Sequence, residues 1–173
     1  MNSGRKEHIK AGPKTVNIAI VVISDSRDFS NDKSGDYLES ACHNSGHIVL
    51  SRQIIKDDSE QIESTLKKVL RTEAHVVLTS GGTGISGRDN TIPIVEALIE
   101  KPIPGFGELF RMLSFKEVKG AAMLSRATAG LAKGGLIFAL PGSQNAVKTA
   151  WEGLLKDELS HLVFEFLRHE QNL

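Results

Sequence analysis

The 173-residue chain has a single cysteine, Cys42, so it can form neither an internal disulfide nor a cysteine zinc cluster. That usage fits a reducing cytoplasm. Lysine plus arginine (21) balance aspartate plus glutamate (21), which removes the global field that would recruit nucleic acid or a membrane surface. Any anionic ligand must then be held by local geometry. No stretch approaches the roughly 20 apolar residues of a membrane span, and the opening MNSGRKEHIKAGPK lacks the apolar centre of a signal peptide. Residues 1–14 read as a flexible lead-in and 15–173 as one domain, with no repeat or linker. The histidines also lack metal-ligand spacing: His43 and His47 stand four apart, but Gly46 ends their helix between them.

Residues 16–23 (VNIAIVVI) are a nearly continuous β-branched run, expected for a strand covered on both faces and stopped by Ser24, Asp25 and Ser26. Tyr37, Leu38, Ala41 and Cys42 follow at helical spacing, and residues 48–55 give a second strand. Asp57, Asp58 and Ser59 offer N-caps to a helix striped by Ile62, Leu66, Val69 and Leu70. A third strand, residues 75–79, and a short helix near residues 94–99 with Pro93 in its first turn complete a βαβαβα order. The predicted fold is α/β, a three-layer sandwich with a mostly parallel sheet and helices on both faces. In the second half, residues 101–107 (KPIPGFG) read as a turn-rich loop and residues 108–116 as a helix. Residues 128–132 and 136–140 read as a small hairpin about Lys133, Gly134 and Gly135. Two amphipathic helices end the chain. Trp151 lies on the apolar stripe of the first, as core or subunit interface; Phe164 and Phe166 lie on different faces of the second, as expected for a helix that also meets another subunit.

Residues 78–91 read LTSGGTGISGRDNT, with Gly81, Gly82, Gly84 and Gly87 in seven positions. Residues 82–87 match both the dinucleotide-binding G-x-G-x-x-G and the first half of a P-loop. Neither identity survives its context. A P-loop continues with Lys and Ser or Thr, whereas Arg88 and Asp89 stand here. A dinucleotide fingerprint opens a regular helix, which Pro93 would interrupt. What remains is their shared physics: glycines leave backbone N–H groups bare, and successive N–H groups at a strand end form a nest for anionic oxygens. Ser80, Thr83, Arg88, Asp89 and Thr91 crowd the same loop. Arginine can clamp a phosphate and aspartate can hold magnesium. Asp89 can equally order the loop through an Asx turn.

SGGTG (residues 80–84), GRDNT (87–91), IPGFGE (103–108), LSR (124–126) and LPGS (140–143), with SDS (24–26) at the first strand end, together resemble the MogA/MoaB family of molybdopterin-binding proteins. GELFRMLSF (107–115) is nearer the MoaB branch. The resemblance implies a cytoplasmic protein of molybdenum cofactor biosynthesis that forms homotrimers or homohexamers and works alongside the molybdate-inserting enzyme. It also implies magnesium-dependent transfer of AMP from ATP to the terminal phosphate of molybdopterin. The alternative within the same family is a non-catalytic molybdopterin-binding or carrier protein.

By the same resemblance, Asp57 and Asp89 are the catalytic and magnesium-holding positions. Ser24, Asp25 and Ser26 line the nucleotide side; Ser125, Arg126, Pro141, Gly142 and Ser143 meet the pterin or its phosphate; Gly105 and Glu108 wall the pocket. Asp57 retains a plain alternative as a helix cap, as does Ser143. Pro93 stands where the family often carries an acidic residue, with Glu96 one turn along.

Overall fold

The first β-branched run forms β1 (Asn17–Ile23), an interior strand of a computed structural model that describes residues 12–170. Residues 18 to 22 of this strand have no exposed surface, as expected for apolar side chains on both faces of a covered strand. β2 (Ile48–Ile55), β3 (Val76–Ser80), β4 (Ile99–Pro102), β5 (Thr128–Ala132) and β6 (Gly135–Leu140) complete one sheet in the order β2-β1-β3-β6-β5-β4. The first four strands in that order run parallel, and β5 and β4 add antiparallel pairings at one side.

Two core clusters lie on the two faces. On one, Ile18, Ile20, Val22, Val76, Leu78, Leu136 and Phe138 pack beneath α1 (Lys33–Asn44), α4 (Pro104–Val118), α5 (Gln144–Ala150) and α6 (Leu159–Glu170). On the other, Ala19, Val21, Val77, Ile137 and Ala139 pack beneath α2 (Ser59–Val69) and α3 (Thr91–Leu98). The period of two along each strand assigns neighbouring residues to opposite layers. Asp32, Asp58 and Ser143 cap α1, α2 and α5 through their side-chain oxygens. Each such cap contributes about 1 kcal/mol. Gly46 ends the first helical segment at a φ of 80°, and Trp151, fully buried, opens a wider π turn (Trp151–Leu155) after α5.

Residues 101–107 depart from the expected loop. Ile99–Pro102 is a strand paired with β5, and α4 starts at Pro104. Pro102 is tolerated because β4 is an edge strand, Pro104 because a proline at the first helical position gives up an N–H that has no partner there anyway. Gly107 lies inside this helix, and a Cβ there would come within 2.7 Å of the Ala127 carbonyl oxygen. Glycine marks a close approach at this point, not a turn.

Most of the lead-in, residues 1–11, lies outside the described residues; Gly12 rests against the backbone of Ser160 in α6. Phe166 is buried in the core, while Phe164 is half-buried beside the Arg168 guanidinium. Among the described residues no helix is long and apolar enough to cross a membrane.

His47 ties the chain ahead of β2 to the start of β1. Its Nδ1 accepts the Val16 N–H at 3.4 Å, and its ring meets Trp151 edge-on. Burial holds its pKa below the ordinary 6.5. The imidazole is thus neutral when folded and takes a proton more readily when unfolded. Its contribution is complete above about pH 6.5 and is lost as the pH falls through the folded value. The melting temperature is expected to drop between pH 7 and 5, and less steeply in His47→Gln, whose side-chain oxygen keeps the bond without titrating. Equal slopes in the two proteins would remove His47 as the cause.

Candidate functional site

Because β2, β1, β3 and β6 are parallel, their C-terminal ends share one edge. Four turns leave that edge: Ser24–Ser26 after β1, Asp57 after β2, the glycine loop after β3 and Pro141–Ser143 after β6. Ser125 and Arg126 arrive there too, just ahead of the antiparallel β5. β1 lies between β2 and β3, so the chain's winding reverses beside the glycine loop, the position at which open α/β sheets bind ligands.

The glycines of the loop serve distinct needs. Gly81 and Gly82 have φ angles of 103° and 61°, in the left-handed region open to glycine. A Cβ on Gly81 would collide with the Ile23 carbonyl oxygen; one on Gly82 would collide with Thr91 Oγ1 and stand 3.1 Å from Asp57 Oδ2. Gly82 therefore leaves a cradle between Thr91 and Asp57. Among the described residues, Asp57 Oδ1 and Thr91 Oγ1 beside it are buried without a hydrogen-bond partner, as is Ser80 Oγ at the end of β3. Orphaned buried polar atoms cost about 1–3 kcal/mol each, so their convergence points to a ligand that satisfies them.

The expected row of bare N–H groups is only partly free. Gly81 donates its N–H to Leu140 O at 3.0 Å, extending the β3–β6 ladder past the strand. Ser86 donates both its N–H (2.8 Å) and its hydroxyl (2.5 Å) to Asp89 Oδ2, and a Cβ on Gly84 would lie 2.5 Å from that same oxygen. The Ser86 hydroxyl foremost, then the N–H groups of Ser86 and Gly84, hold the Asp89 carboxyl below the usual carboxylate range. Asp89 thus fills part of the nest itself, as an Asx-type turn would require, and remains ionised.

Asp57 is the opposite case. Removal from water pushes its carboxyl up and the negative charges of Asp89 and Asp25 add to that, outweighing the Asn90 N–H and the Arg88 charge, which favour its ionised form. Its N–H donates to Asp25 Oδ1 at 3.1 Å, while the neighbouring Asp58 does the capping of α2. The capping role falls to Asp58 and leaves the Asp57 carboxyl outside it. Asp57, with Asp89 alongside, fits a hard cation, since magnesium takes one or two carboxylates and fills its shell with water and phosphate oxygens.

Arg126 braces the loop, donating from Nε to Thr83 O (3.0 Å) and from Nη2 to Asp89 O (3.2 Å). Arg88 is exposed beside Asp57. Gly105 lies in the first turn of α4 and Glu108 just past it, not in a loop. Pro93 and Glu96 are exposed on α3.

The sequence reading passed over Arg27, Asp32, Ser34 and Arg52. Arg27 Nη2 donates to Gly142 O at 2.8 Å, and Ser34 Oγ donates to the same oxygen at 2.7 Å. Fully buried Asp32 accepts from Arg52 at 2.7 Å and lies 3.5 Å from Arg27. Asp32 ahead of a helix was readable as a cap; its two arginines were not. A separate cavity of about 590 Å³ lined by Lys67, Leu70, Arg71 and Lys133 lies at the opposite edge of the sheet, away from every converging turn.

A mostly parallel sheet whose turns converge on a crevice at its switch point defines the class, an α/β domain with the architecture that places ligands at that edge. Residues 19–161 match the family model for a probable molybdopterin binding domain. The chain is 48% identical over 164 residues to molybdenum cofactor biosynthesis protein B of Bacillus anthracis, covering 94% of this chain and 97% of that one. A crystal structure of a molybdenum cofactor biosynthesis protein B superposes with a TM-score of 0.87 at 46% identity, covering 90% of this chain and 98% of the other. The tungsten cofactor synthesizing protein MoaB of Pyrococcus furiosus follows with 0.78 at 37%, covering 91% and 98%. The chain belongs to the MoaB/MogA family of molybdenum cofactor biosynthesis proteins, on the side of its MoaB members.

Asp57 is held in a charge state that its surroundings oppose. Its raised folded pKa means that ionisation destabilises the fold at neutral pH, a penalty relieved as the pH falls through that value. Asp57→Asn is therefore expected to raise the melting temperature at pH 7 and to narrow the gain on mild acidification. A lower melting temperature would show that Asp57 serves the fold and not a ligand.

Proposed function

We propose that the chain binds molybdopterin and, with magnesium, transfers AMP from ATP to its terminal phosphate. The observation that supports this most is the buried, unpartnered Asp57 Oδ1 facing Thr91 across Gly82, with Asp89 close enough to raise its pKa. Magnesium held by Asp57 and Asp89 would neutralise charge at the α-phosphate of ATP. The molybdopterin phosphate is the nucleophile: one P–O bond forms to the α-phosphorus, and the bond to the departing pyrophosphate breaks. The protein then has to supply position and charge, not a nucleophile of its own.

Each turn has a task in this reading. Gly82, Thr83 and Gly84 border the phosphates, and Arg88 is the mobile-length cation placed to meet them. Ser24, Asp25 and Ser26 face the nucleotide; Ser125, Pro141, Gly142 and Ser143 face the pterin phosphate, with Gly105 and Glu108 farther out along the same edge. The adenylylated product would pass to a molybdate-inserting enzyme in the cytoplasm. One observation favours the carrier reading instead: Asp89 already has its carboxylate engaged by Ser86.

Incubating the protein with molybdopterin, magnesium and ATP labelled at the α-phosphate decides between them. Label on molybdopterin together with free pyrophosphate is expected, and Asp89→Asn should keep its fold while turnover falls about 100-fold or more. Molybdopterin binding without pyrophosphate release would leave only the carrier.

We also propose a homotrimer or homohexamer. Leu109, Met112 and Phe115 recur at three-residue spacing along α4 with about half of their surface exposed, and Met123 and Leu124 extend the patch. Apolar surface gathered in this way is an association site more often than a solvent face. Phe115→Glu is expected to lower the sedimenting mass toward the monomer; an unchanged mass would move the interface elsewhere.

A further inference from the structure

We propose that Arg27 is a positioning residue of the crevice. It straps the turn after β6 to the turn after β1, across the glycine loop that leaves the strand between them. Four observations carry the assignment. Ser24 Oγ accepts the N–H groups of Ser26 and Arg27, fixing the root of the arginine (3.3 and 3.2 Å). Arg27 Nη2 then reaches a carbonyl 115 positions away in sequence, Gly142 O, at 2.8 Å. Its Nη1 donates to Ser34 Oγ at 3.2 Å, and that hydroxyl donates to the same carbonyl at 2.7 Å. Asp32, fully buried and neutralised by Arg52, lies behind Nη1 and fixes the direction of the fork.

The clamp determines what the turn shows to a ligand. The Gly142–Ser143 peptide is trans and planar, so its C=O and N–H point in opposite directions. With the carbonyl drawn to Arg27 and Ser34, the Ser143 N–H must face away from the strap, on the same turn as the Ser143 hydroxyl. The spacing is equally constrained. A Cβ on Gly142 would stand 3.1 Å from Gly81 Cα, so the strap holds the β6 turn down on the glycine loop at backbone contact. A lysine could reach Gly142 or Asp32 but not both, because only the guanidinium presents donors in a fixed planar fork. Arg27 lies outside the residues placed against the substrates. The inference that it governs ligand affinity rests on the molybdopterin reading of the crevice, whereas the strap itself does not.

The test joins hydrogen–deuterium exchange of the full chain to molybdopterin affinity. In Arg27→Ala and Arg27→Lys, exchange over residues 141–146 should rise about tenfold or more while β1 and β6 keep wild-type protection. Molybdopterin should bind Arg27→Ala about tenfold more weakly. Ser34→Ala should weaken binding less, and the double variant no more than Arg27→Ala alone, since both groups hold one oxygen. Unchanged exchange over 141–146, or faster exchange throughout the chain, overturns the strap. Local loosening with unaltered affinity overturns its role in positioning. Local loosening in a chain whose wild type binds no molybdopterin supports the strap and removes the proposed function.

Discussion

A side chain at Gly81 would run into the Ile23 carbonyl oxygen, and the crevice depends on that closeness. The end of β1, the beginning of the glycine loop and the turn after β6 meet at backbone distance, with Gly142 lying on Gly81. At such separations no Cβ fits between the chains, and the polar groups must find partners among the neighbouring backbones. Gly81 does so by donating to Leu140 O. The sheet thus continues for one hydrogen bond past its strands and delivers Gly82 with a left-handed φ directly over Asp57 and Thr91.

Around that contact the charges fall into two groups with opposite energetics. Asp32 lies out of water, but Arg52 and Arg27 neutralise it, and Arg52 also engages Asp36 and Glu39. Removing one partner of such a buried pair costs about 3–5 kcal/mol, so this group fixes geometry. Asp57 has burial without an equivalent cation and shares its surroundings with two further carboxylates. The Asp32 charge is paired within the fold, whereas Asp57 has only the exposed Arg88 and the Asn90 N–H to set against two neighbouring carboxylates. This division follows from solvation alone and distinguishes framework from site along a single sheet edge.

How much was legible depended on how local the cause was. β1 could be read because its β-branched run reflects burial on both faces of a pleated strand, β2 because it is rich in β-branched residues, and the hairpin because Lys133 and Gly134 form a turn between two short apolar segments. The glycine loop could be recognised as an irregular turn at a strand end from its composition. Residues 101–107 were misread for an equally local reason: their prolines and glycines carry turn propensity, while the pairing of β4 with β5 and the contact of Gly107 with Ala127 are made by residues twenty or more positions away. Asp57 and Asp58 were interchangeable as caps until the direction of the chain leaving β2 assigned the cap to Asp58.

The sequence by itself determined the layers, the strand alternation, the place of the glycine loop and the family resemblance, because hydrophobic period and short motifs are properties of neighbouring residues. Only the tertiary structure decided which N–H groups of that loop are spent, that Asp89 fills its own nest, that Arg126 braces it and that Arg27 reaches Gly142. The physical reason is that a hydrogen bond forms between groups that the completed sheet brings to one edge, and the distance between two such groups along the chain carries no trace of it.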